Sequence, residues 1–280
     1  MLITRMNTRE QALQSLGKEA MFACYVDRDV LACAQRFAQS EEFAATLKQI
    51  SPRGKSPKCL RLLDVGAGNG IASWAFATHG LRVTALEPSD SEMTGRGAIA
   101  KLNYHGSVHI SILDTWGEKI PTPEESFDLI YGRSVLHHAR DLKAMIGDLH
   151  RVLVPCGKAL FAREHVVDNP EDLKVFLRSH KVNQLTGEEY AYSVPEYKRA
   201  FREAGFKENT IIGPLESPIN SYPKNKSRIR SELIQGTKAV LGRRIACLFC
   251  HWPLTRKMLA RIHKHTDTTP GRLFTFRCVK

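Results

Sequence analysis

Three glycines at alternate positions, Gly66, Gly68 and Gly70, close an apolar run that carries a single acid, Asp64. An amphipathic stretch, 71–79, follows at once. That order reads as buried strand, tight turn and helix N-terminus. Glycine suits such a turn because it adopts unusual φ values and lets a ligand reach the backbone. The helix start adds unpaired N–H groups and a positive dipole end, suited to an anionic or polar ligand group. Twenty-one residues beyond Gly66 stands Glu87, just before Pro88. This is the separation that a strand–helix–strand unit requires, and a carboxylate there can accept two hydroxyl hydrogen bonds in a fixed fork. The spacing is not the G-x-G-x-x-G of dinucleotide sites, and Asn69-Gly70-Ile71 does not supply the Gly-Lys-Ser/Thr of a phosphate loop. A nicotinamide or flavin site and a purely structural turn stay open on these residues alone.

The elements needed to position such a site alternate along the chain. Strands are predicted at 60–65, 82–87, 108–113, 127–131 and 158–163, and helices at 71–79, 91–104 and 142–153. Pro155-Cys156-Gly157 turns the chain into the fifth strand. Residues 8–50 have a helical period and form an N-terminal helical cap, 1–58, ahead of the main domain, 59–280. A polar insertion, 166–194, with a short helix at 170–180, reads as a substrate lid. A helix at 195–204 ends at Gly205, a C-cap signal, and strands near 207–212 and 273–279 flank a basic helical insertion, 224–265. The predicted fold is α/β, a seven-stranded, doubly wound, mostly parallel sheet.

The D-x-G-x-G-x-G pattern resembles motif I of the class I, Rossmann-like methyltransferases, which bind S-adenosylmethionine (SAM). The runs 126–138 and 151–161 are similar to the fourth- and fifth-strand signatures of the same family, with Cys156 where the family has glycine. The resemblance implies that Asp64, Gly66, Ala67 and Gly68 meet the methionine end of SAM and Glu87 the ribose. It further implies that Asp114 meets the adenine amino group while Thr115 or Trp116 flanks the ring, and it adds Arg133 to the cofactor site. Ligands of open α/β sheets lie beyond the carboxyl ends of the strands. There, Glu164 and His165 follow the fifth strand, and His137 and His138 the fourth. Transfer to a hydroxyl is helped by a base that titrates near neutrality, which nominates His165, then His137. The segment 163–206 is similar to that of a bacterial subgroup acting on glycans and secondary metabolites. By that resemblance Glu164, His180, Glu189 and Tyr192 line an acceptor pocket. The activity implied is SAM-dependent methylation, at oxygen, of a sugar-containing or lipid-linked small molecule. Two rivals are an RNA methyltransferase gripping phosphates with its basic segment, for which no amino-methylation motif is found, and a non-catalytic SAM-binding or membrane-associated scaffold.

Composition bounds the partners. The net charge is +12, and between Ser221 and His265 eleven Lys and Arg face one acid, Glu232. The basic character is therefore local and suits an anionic partner, a lipid surface before nucleic acid. Seven cysteines and no apolar leader predict reduced thiols in a cytoplasmic protein, able to rest on the inner face of a membrane. Cys247-Leu248-Phe249-Cys250-His251 has the haem-attachment spacing, but with no export signal and no second ligand pair for zinc it reads as apolar helix, with no metal site.

Overall fold

A computed structural model of the chain describes residues 25–27, 29–51, 56–105, 108–180, 183, 190–224, 226–250 and 252–280. Its centre is a seven-stranded sheet in the order β3-β2-β1-β4-β5-β7-β6. The strands are β1 (Arg61–Val65), β2 (Arg82–Leu86), β3 (Ile110–Leu113), β4 (Phe127–Arg133), β5 (Leu153–Val166), β6 (Glu208–Ile212) and β7 (Arg272–Val279). The first five pair in parallel, and β7 runs antiparallel between β5 and β6. The chain winds outward from β1 to β3, returns, and restarts at β4 beside β1. The resulting switch point between β1 and β4 is where open α/β sheets take ligands.

β1 sits in the middle because four of its five residues are buried. Leu62 faces one core with Phe76 and Leu102, whereas Leu63 and Val65 face the other with Ile146 and Phe161. Alternate side chains of a strand point to opposite faces, so one short apolar run closes both layers. The cap helices α1 (Val30–Ala38) and α2 (Glu41–Ile50) are separated by the Ser40 N-cap rather than continuous. They bury Phe37, Phe43 and Ile50 in the same core as Leu62. The helix predicted from 91 begins later, as α4 (Arg96–His105), after α3 (Ile71–Thr78), because Ser91 turns the chain by binding the amides of Met93 and Thr94. α5 (Leu142–Val152), capped by Asp141, leads directly into β5.

Beyond β5 the insertion holds α6 (Pro170–Ser179), and its two ends meet where Val166 bridges Tyr192. α7 (Val194–Glu203) opens with a Ser193–Glu196 capping box. A short α8 (Pro218–Ser221) precedes the basic segment, which forms α9 (Lys226–Leu241), α10 (Arg243–Phe249) and α11 (Pro253–Thr266) around a small core of Leu215, Leu233, Cys250 and Leu259. No described helix is long and apolar enough to cross a membrane.

Candidate active site

The glycine turn is shaped as its spacing predicts. Gly66, Gly68 and Gly70 all have positive φ, +62°, +57° and +77°, a region costly for side-chain-bearing residues. They serve different neighbours. A Cβ at Gly66 would lie 2.5 Å from Val135 Cγ2, and one at Gly70 2.8 Å from Ile99 Cγ1. At Gly68 a Cβ meets only the Thr94 carbonyl, at 4.0 Å, so the space above it belongs to a cavity. Two of the three glycines therefore answer to packing, and one to a ligand.

Glu87 closes β2 and ties the turn together. Its carboxylate accepts from the Gly68 amide at 2.7 Å and from the Ser89 amide at 2.9 Å. Asp64 is buried, and the Ser73 hydroxyl donates to it at 2.6 Å. Burial lifts its carboxyl to about 7, against the pull of Ser73, and the nearby Glu87 charge adds to the rise. Asn69 donates to the Tyr25 carbonyl at 2.8 Å, drawing the start of the described chain over the turn.

The acceptor side is built from the ends of β4 and β5. A bulge in β5, between Phe161 and Glu164 in its pairing with β7, leaves Arg163 at φ +60°. Beside it Ser134 has φ +54°, and its hydroxyl donates to the Arg163 carbonyl at 3.1 Å. The bulge turns Glu164 inward. Its carboxylate accepts from the amides of Val135, Leu136 and His137 at 3.0–3.3 Å and from His137 Nδ1 at 2.8 Å. His165 points the other way, and its Nδ1 lies 2.8 Å from the Gly271 carbonyl. A carbonyl can only accept, so Nδ1 carries the proton and, in the neutral ring, Nε2 the lone pair. The His165 ring packs against His137, Phe176 and His180, with centroids 4.8–5.1 Å apart.

A cavity of about 330 Å³ joins the two sides, within the range of small-molecule sites. Its walls include Asp64, Gly66, Ala67, Gly68 and Glu87 from the cofactor side, and His137, His165 and His180 from the acceptor side; Arg133, nominated for the cofactor, stands with the latter at the end of β4. Trp116, Gly117 and Glu118 close its far end. The structure places four nominated residues elsewhere. Asp114 lies outside the cavity in an ion pair with Arg96, and the Thr115 hydroxyl donates to the Lys119 carbonyl, so of the two residues expected beside the ring it is Trp116 that reaches the wall. Glu164 is fully buried behind His137, and Tyr192 packs on Tyr190 and Tyr197. Glu189 lies outside the described residues. Arg133 reaches the wall already engaged by buried Glu42 of α2, at 2.7 and 3.3 Å. Sequence reasoning missed Glu42. The only signal is an acid beside Phe43 and four residues before Thr46, on the buried stripe of an amphipathic helix.

Among the described residues no group of three or more His, Cys, Asp or Glu could hold a metal ion. Of the C-x-x-C-H run, Cys250 is buried in the small core, whereas Cys247 is exposed and so departs from the apolar reading; His251 lies outside the described residues. SAM fits the site on the structure's own terms. The open cradle above Gly68 and the Glu87 fork suit its amino-acid and ribose-diol parts, and the exposed Trp116 ring at the wall suits a flat base.

Comparison with known proteins agrees. Residues 63–161 match the family described as a methyltransferase domain. The chain is 28% identical over 186 residues to 27-O-demethylrifamycin SV methyltransferase of Amycolatopsis mediterranei, covering 64% of this chain and 66% of that one. It is 32% identical over 117 residues to the ubiquinone biosynthesis O-methyltransferase of Bradyrhizobium sp., covering 40% and 44%. The chain thus spans less than two thirds of each relative's length. In fold it is similar to Haemonchus contortus phosphoethanolamine N-methyltransferase 2 in complex with SAM, with TM-score 0.56 and 15% identity over 92% of this chain and 60% of that one. The sheet is that of the class I methyltransferases, and 63–161 is the core of a SAM-dependent methyltransferase domain whose cofactor is S-adenosyl-L-methionine.

Proposed function

We propose that the chain transfers the SAM methyl group to an oxygen of a small-molecule acceptor, sugar-containing or lipid-linked, with His165 as general base. The observation that carries this reading is the Gly271 carbonyl holding His165 Nδ1, which fixes the tautomer a base needs at the cavity wall. When bound, SAM supplies an electrophilic methyl group on a sulfonium. The chain's own part is to hold the acceptor hydroxyl in line and to take its proton at His165 Nε2. Glu164 acts through His137 and the loop after β4, and is a positioning residue. Of the two relatives described above, one is named a ubiquinone biosynthesis O-methyltransferase and the other a 27-O-demethylrifamycin SV methyltransferase, which supports an oxygen acceptor.

The test is His165→Asn, followed with labelled SAM on a panel of hydroxylated glycans and lipids. Turnover is expected to fall about 10²–10⁴-fold, the usual worth of a general base, with SAM affinity unchanged. Undiminished turnover in the variant would remove His165 from the mechanism.

A further inference from the structure

The basic insertion exposes large apolar side chains on its outer surface, which its own core does not use. α10 turns Ala246 and Cys250 inward and leaves Ile245 and Leu248, one turn apart, in solvent. α11 buries Leu259 and Ala260 while Leu254 and Met258 share an exposed stripe with Lys257 and Arg261. Trp252 stands at the corner between the two helices. Exposure reaches 80% at Leu254, 67% at Trp252 and 64% at Leu248. Five such residues within fourteen positions, on two consecutive helices and the corner between them, are more than singly scattered surface apolar side chains and are of the kind that marks an interaction site.

The charges around this patch select the partner. From Leu233 to Thr266 there is no Asp or Glu, against Lys238, Arg243, Arg244, Arg256, Lys257, Arg261 and Lys264. Lys264 turns away to pair with Glu216, but Arg243, Arg244, Arg256, Lys257 and Arg261 are exposed on the helices that carry the apolar side chains. Such a combination, with a tryptophan among the apolar residues, suits the boundary between anionic headgroups and acyl chains. A second copy of this chain would bring the same positive charges against itself, and nucleic acid would leave Leu248 and Leu254 uncovered. We propose that α10 and α11 form a docking face for an anionic phospholipid bilayer, with Leu248, Trp252 and Leu254 entering the headgroup region and the arginines and lysines meeting lipid phosphates. The face stands apart from the methyl-transfer cavity and does not depend on what the acceptor is.

The test is co-sedimentation of the full chain with vesicles of phosphatidylglycerol and phosphatidylcholine in equal parts, beside phosphatidylcholine alone. The chain is expected to pellet with the anionic vesicles only, and less as salt rises. The variant Trp252→Ser with Leu254→Asp is designed to spare the fold. Serine is a better N-cap than tryptophan for α11, and an acid in its first turn favours the helix dipole. It should bind anionic vesicles at least about tenfold more weakly, and Arg256→Gln about fivefold more weakly, with the unfolding midpoint unchanged. Acyl-brominated lipid should quench tryptophan emission in the native chain and not in Trp252→Phe. No pelleting at low salt, or equal pelleting of native chain and double variant, overturns the proposal. So does a native dimer that the double variant disperses, or RNA binding that it weakens while vesicles go unbound. SAM titration of each protein keeps this outcome separate from that of the methyl-transfer reading.

Discussion

The cofactor side and the acceptor side of one cavity are built on different scales of the chain. On the cofactor side the ties are shorter: Ser73 to Asp64 spans nine residues, Gly68 to Glu87 nineteen, and the longest of them, Asn69 to Tyr25, 44. On the acceptor side the ties run from His165 to Gly271 over 106 residues, Arg133 to Glu42 over 91, and Arg163 to the Ile219 carbonyl over 56. A local unit can be kept whole while the remainder of the chain changes. A wall assembled from distant segments changes whenever any of them does. The same cavity can therefore combine a common cofactor cradle with an acceptor pocket particular to this chain.

The largest effect that separates the two sides is expected at Glu164. Truncation to Ala leaves three amides and a ring nitrogen without their shared acceptor in a buried site, at a cost of about 3–5 kcal/mol. Urea denaturation should show this loss, whereas Asp114→Ala, exposed and outside the cavity, should stay within about 0.5 kcal/mol of the native chain. Equal losses would mean that the loop after β4 does not depend on the carboxylate.

Asp64 gives the next effect, and it carries a pH signature. Its folded pKa of about 7 lies above the ordinary carboxylate value, so between about pH 4 and 7 the folded chain binds more protons than the unfolded one. Stability from this group is therefore present at low pH and lost as pH rises through 7. Asp64→Asn removes that loss. The variant should nearly match the native chain near pH 4 and exceed it by about 4 kcal/mol at pH 8 in parallel denaturation curves. A constant difference across the range would place the titration elsewhere. Glu87→Ala acts on binding instead. Losing both the carboxylate expected to meet the ribose and the acceptor that holds the Gly68 and Ser89 amides should weaken SAM binding about a hundredfold by calorimetry, with the Glu42–Arg133 pair untouched.

The same contrast of scale explains what could be read before the structure. The βαβ spacing named Gly66, Gly68 and Glu87 because a strand, a turn and a helix have fixed lengths. Asp114 pairs with Arg96 while Trp116 reaches the wall, and nothing in the run from Leu113 to Trp116 shows where the strand releases the chain and which side chain then faces inward. Glu164 was read as a pocket residue from its place after β5. The bulge that turns it behind His137 is set by the register of β5 on β7, more than a hundred residues later. The one signal for Glu42, an acid on an apolar stripe, becomes interpretable only once Arg133 stands opposite it.

The smallest expected effect lies where the two sides touch. Gly66 and Gly68 have nearly the same φ, so alanine at either carries about 1–2 kcal/mol of backbone strain. Gly66→Ala adds the collision with Val135, worth roughly 1–3 kcal/mol of overpacking, whereas Gly68→Ala sends its methyl into the cavity. Gly66→Ala should therefore be the less stable variant by about 1–2 kcal/mol, and Gly68→Ala the weaker SAM binder for its stability. Val135 is itself held by the Glu164 carboxylate through its amide. Combining Gly66→Ala with Val135→Ala relieves the contact, so the double variant should lose about 1 kcal/mol less than the two single losses added together. Strict additivity would show that the glycine turn and the loop after β4 do not bear on each other. A coupling of that size would make Gly66 the point through which the geometry of the cofactor cradle limits how far the acceptor wall can move.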